Sequence, residues 1–192
     1  MNSRCDNLTS LTNILRQDYK FAKKNLNGDS SEFWSRTFIK TTVSLIEAEI
    51  FNLKQDTLEY CNVYKINLNP EQLLFLNSKK YEIASNGDIK ERLLQVRLKD
   101  DIKFSFNQVV LLKRHELNNG YDDVRWASVI STIAVRNRLT HPKSTYDMVV
   151  SKREVSDCKL AFKWFVNNLV FFLDQEKNDV VNRRNARIDK LE

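Results

Sequence analysis

Residues 133–147, IAVRNRLTHPKSTYD, contain the side chains of this chain that are best suited to acid–base and phosphate chemistry. Arg136, Asn137 and His141 lie within six residues, and His141 is one of only two histidines in the sequence. An imidazole titrates near neutral pH, whereas a guanidinium stays cationic. The two groups together could transfer protons and stabilise charge at a phosphate ester.

His141 is predicted to stand at the end of a helix, because Pro142 cannot continue the helical hydrogen bonds and restricts the residue before it. Its ring should project from the helix end, where the partial negative charge of the last carbonyls favours imidazolium. At about 100° per residue, His141 lies about 40° from Asn137 and about 140° from Arg136. Arg136 must therefore reach around the helix with its long stem. A simple helix-capping histidine beside solvated arginines is the alternative interpretation.

The residues that follow the proline could contact a nucleic acid. Lys143 and Ser144 could bind a phosphate backbone, and Tyr146 could stack on a base. The alternative is that these three residues only form the loop between two helices.

Helices should position this segment, because three Gly and two Pro in 192 residues leave little material for tight turns. Periodicity predicts helices over residues 8–25 and 100–117, and another from about residue 123 to the proline. Capping boxes predict further helix starts at Asp29 with Glu32 and at Ser151 with Glu154, and Asn69 before Pro70 predicts one more.

Apolar stripes predict which faces of two helices are buried. The long second helix should bury one stripe made of Ile39, Val43, Ile46, Ile50 and Leu53, and a second stripe of Trp34, Phe38 and Leu45. The helix that carries Arg136 should face inward with Trp126, Ile130, Ile133 and Ala134.

The fold class predicted from these elements is all-α, an antiparallel bundle of about five helices. Asn86–Gly87 predicts a small exposed hairpin or loop inserted into it. Residues 1–176 are predicted to form one domain. Residues 177–192 are predicted to form a charged tail, either a solvated helix or a frayed end.

Composition narrows the function classes. The net charge of +6 fits a polyanionic partner, although a basic protein without such a partner fits equally well.

The three cysteines share no metal-ligand spacing, and Cys158 falls on an apolar helical stripe, so it is expected in the core. No metal or cofactor is predicted. No signal peptide or membrane span is predicted either, and the expected location is the cytoplasm.

The segment RNRLTH, an Arg followed directly by Asn and then by His, resembles the R-x(4–6)-H motif of the HEPN superfamily of helical nucleotide-binding domains. Its context is similar too, since an apolar helix precedes the motif and an aromatic helix follows it. SLIEAEI in the long early helix resembles HEPN helices that carry an acidic residue among apolar ones. The likeness spans roughly residues 30–174.

The resemblance implies a metal-independent endoribonuclease, in which the RNA 2′-hydroxyl attacks the adjacent phosphate. His141 would then transfer protons, Arg136 would stabilise the transition state, and Asn137 would position the ring or the phosphate. Because in-line transesterification benefits from a base and an acid, two copies of His141 meeting across a twofold axis would supply both. HEPN nucleases resemble this arrangement, so we expect a homodimer with the motif at its interface.

The partners expected on this interpretation are RNA, a second copy of the chain and an antitoxin or inhibitor, in a defence or toxin role. Two alternatives remain. One is a non-catalytic RNA-binding or adaptor protein of HEPN type, and the other is a helical dimerisation module in which Arg136 is a structural ion-pair partner. The sequence also leaves open whether Glu47 or Glu49 pairs with Arg36, Arg136 or Lys40.

Overall fold

The fold is all-α with one small hairpin, as the sequence predicts. The computed structural model describes residues 2–29 and 31–188, and 73% of the chain is helical. Within these residues the α-helices are α1 (Asn2–Gly28), α2 (Glu32–Val63), α3 (Pro70–Leu76), α4 (Leu98–Lys113), α5 (Val124–Thr140) and α6 (Lys152–Ile188). A 3₁₀ helix, Thr145–Met148, precedes α6.

Helix α2 is the central element and contacts α1, α3, α4, α5 and α6. The five residues of its first predicted stripe, from Ile39 to Leu53, are all buried. Phe38 and Leu45 of the second stripe are buried as well, and Trp34 is partly buried. A helix with apolar residues on more than one side must be covered by several neighbours, which explains why α2 lies inside the bundle.

The core has two parts. In one, aromatic rings from three helices pack together: Phe106 of α4, Trp126 of α5, and Trp164 and Phe165 of α6. The other joins the end of α1, the start of α2, the end of α5 and the start of α6, and it includes Cys158, which is fully buried as predicted.

Two of the three predicted capping arrangements are formed and one is not. Asn69 and Gln72 make a capping box with Pro70 at the first helical position. Ser151 and Glu154 make the predicted box before α6. The box predicted at Asp29 is wrong, since α2 begins at Glu32 with Ser31 as its N-cap and no side-chain cap bond. The Asp29 carboxylate instead accepts a hydrogen bond from the Ser31 N–H, at 3.0 Å.

The insertion is an exposed antiparallel hairpin of β1 (Lys79–Ile83) and β2 (Ile89–Leu93). Gly87 in its loop has φ +85°, a conformation that strains side chains with a Cβ. The base of the hairpin is closed by a hydrogen bond from the Leu94 N–H to the Ser78 carbonyl, at 2.9 Å. The hairpin therefore leads directly into the segment that starts α4.

Helix α4 is shorter than predicted, and α6 is longer than its predicted core. Arg114 adopts φ +57°, which ends α4 at Lys113, four residues before the expected Leu117. Helix α6 continues through the predicted boundary at residues 176 and 177 to Ile188, with Lys177 exposed. Of the helices in the described part of the chain, none has an apolar stretch that could cross a membrane.

Candidate active site around Arg136 and His141

Arg136 lies where α5 crosses α2. Its guanidinium forms an ion pair with the carboxylate of Glu47 on α2, and Nη1 donates to Asn137 Oδ1 at 3.3 Å. The side chain is only 22% exposed, and this burial lowers the pKa of the guanidinium, which nevertheless stays cationic at neutral pH. Arg136 is thus a fixed positive charge at the edge of the core.

The residues beside Arg136 on α5 explain why its side chain points toward α2. Val135 and Leu139 pack in the core together with residues of α2 and α6, and Arg136, next to Val135, reaches Glu47 on α2. At the other end of α5, the Asp123 carboxylate caps the helix by accepting from the Arg125 N–H at 2.7 Å. The Arg125 side chain also binds Asp123, and these bonds lower the pKa of that carboxyl to about 2.

His141 is the C-cap residue of α5, with φ −126° and ψ 59°. Its backbone N–H still donates to the Asn137 carbonyl, at 3.0 Å. The side chain is exposed and, among the described residues, it has no hydrogen-bond or ion-pair partner. The ring therefore lies free at the negative end of the helix, next to the turn that contains Arg136.

The loop after Pro142 is held in shape by Asp147. Its Oδ2 accepts from the N–H groups of Lys143 and Ser144, at 2.8 and 2.9 Å, and from the Ser144 hydroxyl at 3.2 Å. These bonds, the Lys143 N–H first, lower the pKa of the Asp147 carboxyl. Both hydrogen-bond donors of Ser144 are therefore engaged within the loop. Tyr146, by contrast, is 83% exposed and presents its ring to solvent.

Two further arginines fix the far side of this loop to the bundle. Arg36 of α2 donates to the Met148 carbonyl at 3.2 Å, and Arg138 of α5 donates to the Val149 carbonyl at 3.0 Å. Arg138 also pairs with Glu154 of α6 at 2.7 Å. Arg138 therefore holds the loop in place, whereas Arg136 faces α2.

The carboxylates of α2 have different partners, as their spacing predicts. Glu47 pairs with Arg136, which is one of the pairings that the sequence left open. Glu49 lies on another face and pairs with Arg16 of α1 at 2.7 Å. The sequence did not identify Arg16 as a partner, because its contact with Glu49 exists only after α1 has folded back onto α2.

His115, the other histidine of the chain, is buried. It is only 4% exposed, its ring stacks on Phe172 of α6, and Nε2 lies 3.4 Å from Asp179 Oδ2. Its Nδ1 is buried without a hydrogen-bond partner among the described residues. A ring enclosed in this way cannot reach a substrate at the Arg136 site.

The predicted inward face of α5 is partly wrong. Trp126 is buried as expected and Ile133 is partly buried, but Ile130 is 44% exposed and Ala134 is exposed. The helix is rotated so that its buried residues are Trp126, Ser128, Val129, Thr132, Val135 and Leu139.

The apolar residues left outside line a groove of about 520 Å³ that extends from Arg136 and Asn137 along α5. Its other wall is formed by residues 96–99 and the first turn of α4. Two basic residues of that wall, Arg97 and Lys99, were not identified from the sequence. Arg97 is the N-cap residue of α4 and Lys99 lies in its first turn, just before the helix start that the sequence predicted at residue 100.

No group of three or more His, Cys, Asp or Glu side chains that could hold a metal ion is found within residues 2–29 and 31–188. Comparison of the chain with models of protein families, with curated proteins and with solved structures gives no match.

Proposed function

We propose that this protein is a metal-independent endoribonuclease of HEPN type, which cleaves RNA by attack of a 2′-hydroxyl on the adjacent phosphate. The observation that carries the proposal is that two groups with complementary chemistry stand at the C-terminal end of α5. The Arg136 guanidinium is held by Glu47, and the free imidazole of His141 lies at the helix end. A fixed cation can stabilise charge on the phosphate, and an imidazole can transfer protons, and phosphodiester transesterification uses both.

The reaction needs two proton transfers. A base removes the proton from the 2′-oxygen, which then forms a bond to phosphorus, and the bond from phosphorus to the 5′-oxygen breaks. An acid gives a proton to that leaving oxygen, so the products are a 2′,3′-cyclic phosphate and a 5′-hydroxyl. His141 in its neutral form is suited to the first step and His141 in its protonated form to the second.

One chain supplies one such imidazole, since His115 is buried against α6. A homodimer would supply two, if the ends of the two α5 helices meet across a twofold axis. The exposure of His141 and Tyr146 at this end of α5 is compatible with a second copy approaching there. Arg136 would stabilise the charge that grows on the phosphate oxygens, and Asn137 would help to position the imidazole or the phosphate.

The HEPN resemblance also extends the proposal to the biological role, a nuclease that acts in the cytoplasm in defence or as a toxin and is restrained by an inhibitor or antitoxin. The net charge of +6 supports RNA as the partner.

The test is to incubate purified protein with total RNA in excess EDTA and to compare the wild-type chain with His141→Ala and Arg136→Ala. We expect cleavage rates to fall by about 10²–10⁴ in the first variant and by about 10²–10³ in the second. Arg16→Ala is the matched control, because it also removes an Arg–Glu ion pair between α2 and another helix. Cleavage that persists in both site variants would refute the proposal.

A second candidate function is favoured by one contact. The Arg136–Glu47 ion pair is also what a helical dimerisation module without catalytic activity would contain. In that case Arg136→Ala should lower the melting temperature about as much as Arg16→Ala and change no RNA phenotype. Thermal unfolding of the two variants beside the cleavage assay separates the two functions.

A further inference from the structure

The groove beside Arg136 has two walls that come from different segments of the chain. Residues 96–99 and the start of α4 form one wall, and α5 forms the other. Arg136 and Asn137 lie at the end of the groove nearest His141. Its volume of about 520 Å³ is within the usual range of ligand sites.

The charges of the groove do not cancel. Asp101 is engaged by the Lys54 ammonium, which lies 2.9 and 3.0 Å from its two oxygens. Glu47 is engaged by Arg136. Arg97 and Lys99 have no carboxylate partner among the described residues, so they give the groove a positive surplus that favours phosphate.

The α5 wall of the groove carries an apolar strip. Ile130, Ile133 and Ala134 lie on one strip of α5, at positions i, i+3 and i+4. Asn137, at position i+7, continues the same strip toward His141. An exposed apolar strip that faces a basic wall is complementary to a nucleotide, which combines an anionic backbone with a flat base whose faces are poorly hydrated.

We propose that this groove binds a single-stranded RNA segment next to the cleaved phosphodiester. Arg97 and Lys99 bind backbone phosphates, and one unstacked base packs on Ile130, Ile133 and Ala134. Bases in a duplex are stacked and paired and cannot reach the apolar strip, so the groove selects single strands. The inference rests on the proposed nuclease function in one respect, because Arg136 joins the groove to the candidate catalytic residues.

The test separates binding from cleavage by using the full chain with His141→Ala. Fluorescence anisotropy measures its affinity for a labelled single-stranded RNA, and for the same RNA annealed to its complement, at several salt concentrations. The groove variant adds Arg97→Gln and Lys99→Gln. The control adds Lys159→Gln and Lys163→Gln, two exposed lysines of α6 outside the groove, and thus makes the same change in charge.

We expect the groove variant to bind the single strand about tenfold more weakly than the control variant, with a salt slope that is less steep by about 1.4 for two lost phosphate contacts. Ile130→Ser should reduce the preference for single strand over duplex. Equal losses in the groove and control variants, or equal affinity for the two RNA forms, would overturn the inference. So would a change from dimer to monomer in the groove variant, since the groove would then be an interface between copies.

The two proposals can fail separately. If the wild-type chain cleaves RNA and the groove variant with intact His141 cleaves as fast as its control, the groove inference is wrong and the nuclease proposal stands. If no cleavage occurs but the groove variant still loses binding to single strands, the groove is supported and the nuclease proposal fails.

Discussion

Arg136 on α5 and Glu47 on α2 form an ion pair, so the guanidinium predicted to contact phosphate is already oriented by a carboxylate on the neighbouring helix. A long arginine side chain loses rotamer freedom when it is fixed in this way. The entropy cost of ordering it is then met during folding and not when the proposed RNA substrate binds. Glu47 would therefore be a positioning residue for the proposed reaction.

Replacing Glu47 by Gln should slow RNA cleavage by roughly tenfold to a hundredfold, because Arg136 would no longer be held in place. The free energy of unfolding should change by less than about 1 kcal/mol, since the Glu47 side chain is 43% exposed. Cleavage kinetics and urea denaturation measure the two effects. Glu49→Gln, which breaks the pair with Arg16 on another face of α2, should leave cleavage unchanged. Equal effects of the two variants on cleavage would contradict this role.

The start of α4 is anchored by a buried cation. Lys54 of α2 is only 3% exposed at its side chain and binds both Asp101 and the Ser78 hydroxyl. Asp101→Asn leaves that ammonium buried without a countercharge and should lower the free energy of unfolding by about 3 kcal/mol. Chemical denaturation measures this loss in the free energy of unfolding. The control is Glu91→Gln, which breaks an exposed pair with Lys79 and should cost less than about 1 kcal/mol.

The cap of α5 should make part of the stability depend on pH. The bonds from Arg125 lower the pKa of Asp123 from 3.8 to about 2 in the folded chain. A lowered pKa means that the folded state binds the proton less readily, so this contribution is present above pH 3.8 and is lost as pH falls toward 2. Asp123→Asn keeps a capping side chain but removes the charge.

The stability difference between the wild-type chain and Asp123→Asn should therefore be largest near neutral pH and should shrink between about pH 4 and 2. Urea denaturation across this range measures it. Asp122→Asn changes the adjacent exposed carboxylate and serves as the control. A difference for Asp123→Asn that does not change with pH would show that the charge of Asp123 contributes nothing to the cap.

His115 should be dispensable for RNA cleavage. Its ring is enclosed by α6, with Phe172 on one face and Asp179 beside Nε2. His115→Phe keeps an aromatic ring at this position and should cleave RNA at the wild-type rate in the standard assay. A loss of cleavage in this variant while it remains folded by circular dichroism would assign His115 a catalytic role and contradict the two-copy arrangement of His141.

Much of the scaffold follows from local rules. The buried stripes of α2, the cap at Ser151 and the end of α5 before Pro142 depend on periodicity and on the chemistry of neighbouring residues, which the sequence displays directly. The end of α4 was misplaced because Arg114 takes a left-handed conformation that a basic residue rarely adopts.

The contacts between distant segments could not be predicted. Arg36, Arg136 and Lys40 were equal candidates for a carboxylate of α2, and only the packing of α5 on α2 selects Arg136. Apolar residues occur around most of α5, so periodicity alone could not tell which of them α2 and α6 would cover. This is why the inward position predicted for Ile130 is wrong. Its side chain lies in the groove and is 44% exposed.

The measurement that tests the proposed nuclease activity most directly is the chemistry of any RNA ends that the purified protein produces in EDTA. The proposed mechanism predicts 5′-hydroxyl ends and 2′,3′-cyclic phosphates, which accumulate with the wild-type chain and not with His141→Ala. Fragments with 5′-phosphate ends, or the same fragments from His141→Ala, would contradict it.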